Sequence, residues 1–119
     1  MQNNYSHRIH AIASLIGNTP LLAIDLVFKG KKRTLYAKVE YLSMTGSIKD
    51  RMALSIMQQG YTKGDLKPES HIVEVTSGNT GISFAAIGRA LGHPVTIFIP
   101  DWVSLERFKL LKSFGAEII

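Results

Sequence analysis

From His71 to Ile119 the chain alternates short apolar runs with longer amphipathic ones, and this alternation restricts the fold more than any other feature. It predicts strands over 72–75 and 95–99, helices over 80–91 and 105–114, and a further strand beginning at 116–119. The punctuation agrees with these boundaries. Gly92 suits the position just past a helix end, Pro100 closes the second strand, Ser104 can cap the last helix, and Gly115 can end it. Val95-Thr96-Ile97-Phe98-Ile99 is nearly continuous in apolar character, as expected of a parallel strand buried on both faces. Strand and helix in regular alternation define βαβ units, so the expected class is α/β: a three-layer open parallel sheet with flanking helices.

The first half reads differently. Ile9, Ile12, Ala13 and Ile16 recur at helical spacing, and Gly17-Asn18-Thr19-Pro20 then turns the chain. Residues 21–28 and 34–40 read as two strands around a basic turn at Gly30, the second alternating Leu35, Ala37 and Val39 with Tyr36, Lys38 and Glu40. They could form a hairpin. After a loop over 41–45, a helix starts near Ser47. Its Ile48, Met52, Ala53, Leu54, Ile56 and Met57 leave little polar face, which predicts a buried helix.

With 119 residues, 45% of them hydrophobic, the chain is long enough for one modest core and too short for two ordinary domains. Its formal charge is +5, concentrated at Lys29, Lys31, Lys32 and Arg33. No aromatic residue interrupts that cluster, so it reads as a solvated turn and not as a nucleic-acid surface. The absence of cysteine excludes a disulfide framework and thiolate metal sites. The polar start Met1-Gln2-Asn3-Asn4-Tyr5-Ser6 has no apolar signal core, and no run approaches the ~20 apolar residues of a membrane span. A cytoplasmic protein without membrane partners is expected. The four histidines share no metal-ligand spacing and are assigned no metal.

Two stretches carry chemistry. In Gly46-Ser47-Ile48-Lys49-Asp50-Arg51, Ser47 and Asp50 have the spacing of a capping box, which puts Lys49 at about the second helical position. An ammonium there meets the positive end of the helix, at a cost of about 0.3–1 kcal/mol. A lysine so placed can serve as a nucleophile toward a carbonyl. Thr76-Ser77-Gly78-Asn79-Thr80-Gly81 lies between a strand and a helix, at the carboxyl end of a parallel strand, where open α/β sheets bind ligands. Its hydroxyls, amide and free backbone N–H groups favour an anion such as a carboxylate or phosphate. Taken alone, the first stretch is better explained by an ordinary first-turn lysine and the second by a polar turn with a Thr or Asn cap.

Together they resemble the β-family, or fold type II, of pyridoxal-phosphate enzymes, most closely its cysteine synthase branch. The resemblance rests on five stretches in the family's order: Ile16-Gly17-Asn18-Thr19-Pro20-Leu21, Ala37-Lys38-Val39-Glu40, the Lys49 hexapeptide, the Thr76 loop, and Ser104-Leu105-Glu106-Arg107 through Phe114-Gly115-Ala116-Glu117. It implies that Lys49 holds pyridoxal 5'-phosphate through a Schiff base and then acts as the base at the substrate α-carbon. It implies that Asn79 bonds the cofactor's ring hydroxyl. Thr76, Ser77, Asn79 and Thr80 would bind the substrate's carboxylate. The implied activity is β-elimination and β-replacement on an activated serine such as O-acetylserine, with sulfide as nucleophile, in a homodimer when full length.

Residues 1–40 are expected to belong with a larger domain and 41–119 to form a small α/β domain. The family's phosphate-cradling domain would lie beyond this chain, which would then be the first third of an enzyme. Where the cysteine synthases favour Asn-Pro and a further small residue, the loop before Lys49 reads Ser43-Met44-Thr45-Gly46. Cystathionine β-synthase and serine/threonine dehydratase-like activities therefore stay open. So do an inactive remnant or interaction module, and a dinucleotide-binding half-fold using Gly78, Gly81 and Asp101.

Overall fold

The computed structural model describes residues 2–119. In chain order the elements are α1 (Gln2–Ala13), β1 (Leu21–Phe28), β2 (Lys31–Lys38), a 3-10 turn (Glu40–Leu42), α2 (Lys49–Lys63), β3 (Ile72–Val75), α3 (Asn79–Leu91), β4 (Val95–Phe98), α4 (Leu105–Ser113) and β5 (Glu117–Ile118).

β1 and β2 pair antiparallel along their whole length, from Leu21 opposite Lys38 to Phe28 opposite Lys31. The connection is the two residues Lys29 and Gly30, with φ of 50° and 70°. Positive φ at both positions is the turn whose twist matches a hairpin, and glycine adopts it without steric cost. β2 thus begins three residues earlier than the sequence suggested. Lys31, Lys32 and Arg33 are strand residues rather than turn residues, because full cross-strand pairing outweighs their weak β preference. The alternation in 34–40 is not matched by burial either: Leu22, Ile24, Phe28, Leu35 and Tyr36 are all exposed, and Val39, one residue past β2, is buried.

β3, β4 and β5 form a separate sheet, all parallel, in that order. Ala116 and the one face of β4 carrying Val95 and Ile97 pack with Ile82 and Ala85 of α3 and Leu111 of α4. On the opposite face Val73, Val75 and Phe98 are exposed. Double-sided burial of 95–99 therefore holds for Val95–Ile97 and fails for Phe98. Thr96 points to the open face yet is buried, because its hydroxyl donates to Glu117 Oε2 at 2.8 Å and lies 2.8 Å from His71 Nε2.

The centre of the unit is α3. Gly81 and Gly88 lie on the sheet side, where a Cβ on Gly88 would come within 2.8 Å of Val95 and one on Gly81 within 3.0 Å of Ile97. Phe84, Ile87 and Leu91 pack instead with Ala53, Leu54 and Met57 of α2 and with Ile12 of α1. α2 is not buried all round as its composition suggested. Ala53, Leu54 and Met57 are covered, whereas Ile48, Met52 and Ile56 form an exposed stripe at four-residue spacing. Two polar contacts set the direction of these helices. Ser83 donates to Asp50 at 2.6 Å near their starts, and Tyr61 and His93 Nε2 lie 2.6 Å apart near their ends. Buried His93 has its Nδ1 2.8 Å from the Ser70 carbonyl, so Nδ1–H donates there and Nε2 accepts from the Tyr61 hydroxyl. Hence α2 and α3 run side by side in the same sense, with both N-termini at one end of the molecule.

Candidate active site

Lys49 is the first residue of α2 and is exposed. Its backbone N–H donates to Ser47 Oγ at 3.1 Å, but the residue flanking the helix is Ile48, which makes no side-chain cap, so Lys49 stands one position earlier in the helix than the sequence suggested. Asp50 does not complete a capping box. Its carboxylate reaches past Ser47 to accept from the Thr45 N–H at 2.7 Å and from the Thr45 hydroxyl, and on the other side from Ser83. Residues 43–46 turn ahead of the helix, closed by the Gly46 N–H to Ser43 carbonyl bond, and set Thr45 against the Asp50 carboxylate. Asp50 is completely buried and meets three neutral donors. Lys49 thus stands exposed beside an anchored residue, on a helix start tied to α3.

The Thr76 loop joins β3 to α3. Thr76 N–H still donates to the Phe98 carbonyl, extending the sheet ladder by one bond. Gly78 N–H then turns inward to Thr76 Oγ1 at 3.1 Å, and the chain enters α3 with no side chain capping its first N–H groups. The uncapped amides of the first turn, including those of Asn79, Thr80 and Gly81, are the donors that bind anions at helix N-termini. Thr76, Ser77 and Thr80 are half-buried around them, and Asn79 is exposed. A Cβ on Gly81 would stand 2.5 Å from Thr76 Cγ2, so glycine is required for the helix to start this close to the strand end. A hollow of about 850 Å³ opens beside the loop at the carboxyl ends of β3 and β4, lined by Thr76, Ser77, Pro100 and Trp102 among others. Another, of about 780 Å³, lies between α1 and the end of α2 beside Tyr5 and Tyr61, and none of the expected site residues lines it.

A third polar cluster escaped the sequence reading. Arg51 donates to both carboxylate oxygens of Glu40, through Nε and Nη2, each at 3.0 Å. Thr19 Oγ1 donates to the same carboxylate at 2.8 Å, and Lys38 Nζ reaches both the Thr19 hydroxyl and its carbonyl. The Arg51 hydrogen bonds, with the Thr19 hydroxyl second, hold the Glu40 carboxyl well down, at about 2. This cluster ties the end of the hairpin to the first turn of α2. Its members lie in three of the motif stretches, but their pairing has no signal in spacing, since Thr19 and Arg51 are 32 residues apart.

The structure thus sets an uncapped, hydroxyl-rich loop at the strand ends of a parallel α/β unit, with a lysine at the neighbouring helix start, the place where open α/β sheets bind ligands. The comparisons show the family. The model of the family described as pyridoxal-phosphate dependent enzyme matches residues 12–119, and the chain belongs to that family. It is 44% identical to a cysteine synthase of Dictyostelium discoideum over 108 residues, covering 91% of this chain and 29% of that one. It is 43% identical to the cystathionine beta-synthase of Saccharomyces cerevisiae over 113 residues, covering 92% and 22%. Among solved structures, a hydrogen sulfide-producing enzyme from Fusobacterium nucleatum superposes with a TM-score of 0.91 at 47% identity, covering 96% of this chain and 34% of that one. The chain therefore spans about a third or less of the length of these relatives.

The donor set fits pyridoxal phosphate. An exposed primary amine can take its aldehyde, and an exposed asparagine amide opens the adjacent helix. Open space surrounds Gly78, where a side chain would otherwise stand. Among the described residues no helix is long and apolar enough to cross a membrane.

Proposed function

We propose that this chain supplies the lysine and the carboxylate-binding loop of a pyridoxal-phosphate enzyme that catalyses β-elimination and β-replacement on an activated serine. Cysteine formation from O-acetylserine and sulfide is the reaction favoured. The observation that carries the reading is the Ser83 to Asp50 hydrogen bond, which keeps the Lys49 helix start beside the uncapped start of α3. The names of the relatives, cysteine synthase and cystathionine beta-synthase, support the same chemistry.

In this reading Lys49 would hold the cofactor covalently and, when free, its amine would take the proton from the substrate α-carbon. When bound, pyridoxal phosphate supplies the electron sink for the carbanion left there. The N–H groups at the start of α3 and the hydroxyls of Thr76, Ser77 and Thr80 grip the substrate carboxylate, each charge-assisted bond contributing about 1.5–3 kcal/mol. Asn79 would hydrogen-bond the hydroxyl of the cofactor ring through its side-chain amide. A cytoplasmic homodimer belongs to the same proposal, tested by fractionation and sedimentation. A dinucleotide half-fold is set aside, since it gives Lys49 no role and the matched family is defined by pyridoxal phosphate.

The test uses the full-length protein carrying this segment. Lys49→Ala should abolish the visible absorbance of the lysine-bound cofactor, and borohydride reduction should label Lys49. Labelling of Lys38 or Lys63 instead would refute the assignment. Asn79→Ala and Thr80→Ala should weaken substrate binding or turnover while the covalent link still forms. Assay of O-acetylserine with sulfide against serine with homocysteine separates cysteine synthesis from the cystathionine alternative.

A further inference from the structure

The candidate loop is held by an element that the proposed chemistry does not use. Arg107, in the first turn of α4, donates from Nη1 to the Ser77 carbonyl at 2.7 Å, across 30 residues of sequence. The other polar end of that same peptide unit is also engaged, since the Gly78 N–H donates to Thr76 Oγ1 at 3.1 Å. One peptide plane is thus clamped from both sides, by a guanidinium on its C=O and a hydroxyl on its N–H. Arg107 is itself seated: it is half-buried, and its own N–H donates to Ser104 Oγ, the cap of α4.

The orientation of this plane decides what the loop can bind. A carbonyl engaged by a guanidinium cannot turn toward the uncapped amides of α3. If the plane rotated, its partial negative charge would compete with an incoming anion for those donors. Thr76 Oγ1, having accepted the Gly78 N–H, keeps its own proton free to donate. Without the guanidinium, the Ser77 carbonyl would lose a charge-assisted partner, and both orientations would become accessible.

We infer that Arg107 is a positioning residue for carboxylate recognition, holding the Ser77–Gly78 peptide in the one orientation that leaves the loop's donors free for an amino-acid carboxylate. The inference rests on the carboxylate-binding reading of the loop given above.

The experiment measures calorimetric affinity of the full-length holoenzyme for L-serine and for L-serinamide, which lacks the carboxylate. Arg107→Met should weaken L-serine binding about tenfold, equivalent to about 1.4 kcal/mol, and leave L-serinamide within about twofold. Guanidinium ion at tens of millimolar should restore L-serine affinity to Arg107→Ala, whereas ammonium should not. The Gly78 amide should exchange its hydrogen faster in Arg107→Met than in the parent. Should Arg107→Met not fold, Arg107→Lys is read in its place, with an expected loss of at least about threefold for L-serine alone. A merely structural role would lower both affinities together and show no guanidinium rescue, which would overturn the inference. If Thr80→Ala weakens L-serine and the Arg107 variants do not, Arg107 has no positioning role and the loop assignment stands. If none of these variants changes L-serine binding, the loop assignment itself fails and the inference with it.

Discussion

Asp50 on α2 and Ser83 on α3 are both completely buried and are joined by a 2.6 Å hydrogen bond, in the only direct polar contact between the starts of these two helices among the described residues. Its stability effect is separable from catalysis. Ser83→Ala should cost about 1–3 kcal/mol, because it leaves one acceptor position of a buried carboxylate unfilled. Asp50→Ala orphans three donors at once and should cost upwards of about 3 kcal/mol, whereas Lys49→Ala, at an exposed site, should stay within about 0.5 kcal/mol. Denaturant unfolding of the full-length protein freed of cofactor checks the order, since bound cofactor would add its own stabilisation to every variant that retains Lys49. Equal losses in all three variants would show that the contact is not what holds the helices in register.

Glu40 predicts an acid-labile junction. Its folded pKa of about 2 lies below the ordinary 4.5, so folding favours the ionised carboxylate. The stabilisation is fully present above pH 4.5 and is lost as pH falls toward 2. Glu40→Gln should flatten this acid limb of the stability profile, and Arg51→Met should shift it to higher pH by removing the largest cause. Chemical-denaturation midpoints between pH 6 and pH 2 provide the measurement. An unchanged acid limb in Glu40→Gln would assign the lability to other carboxylates.

Gly81 marks a close approach between the loop and the sheet. A methyl there meets Thr76 Cγ2 at 2.5 Å and Ile97 Cγ2 at 3.0 Å, and both neighbours are β-branched, with little rotamer freedom. Gly81→Ala should therefore cost about 1–3 kcal/mol and weaken anion binding by displacing Thr76. Gly78→Ala has open space around it and should be the milder change. Thermal unfolding together with L-serine titration compares them, and a more damaging Gly78→Ala would contradict the packing argument.

The strand and helix order from His71 onward, the caps at Gly92 and Ser104, and the parallel sheet are all legible in the amino-acid sequence, because periodicity and capping are local properties of neighbouring residues. Lys49 and the Thr76 loop could be singled out for the same reason. Burial was less legible. Ile48, Met52 and Ile56 look like core in sequence, yet all three are exposed. Hydrophobicity states what a side chain favours, and only the packing of distant elements decides whether a neighbour is there to cover it. Tertiary structure alone also chose the partners of the charged and polar groups. Asp50 went to Thr45 and Ser83 instead of a capping box, Glu40 to Arg51, and Arg107 to a carbonyl 30 residues away. Hydrogen bonds act over about 3 Å, and no spacing along the chain reveals which residues folding will bring that close.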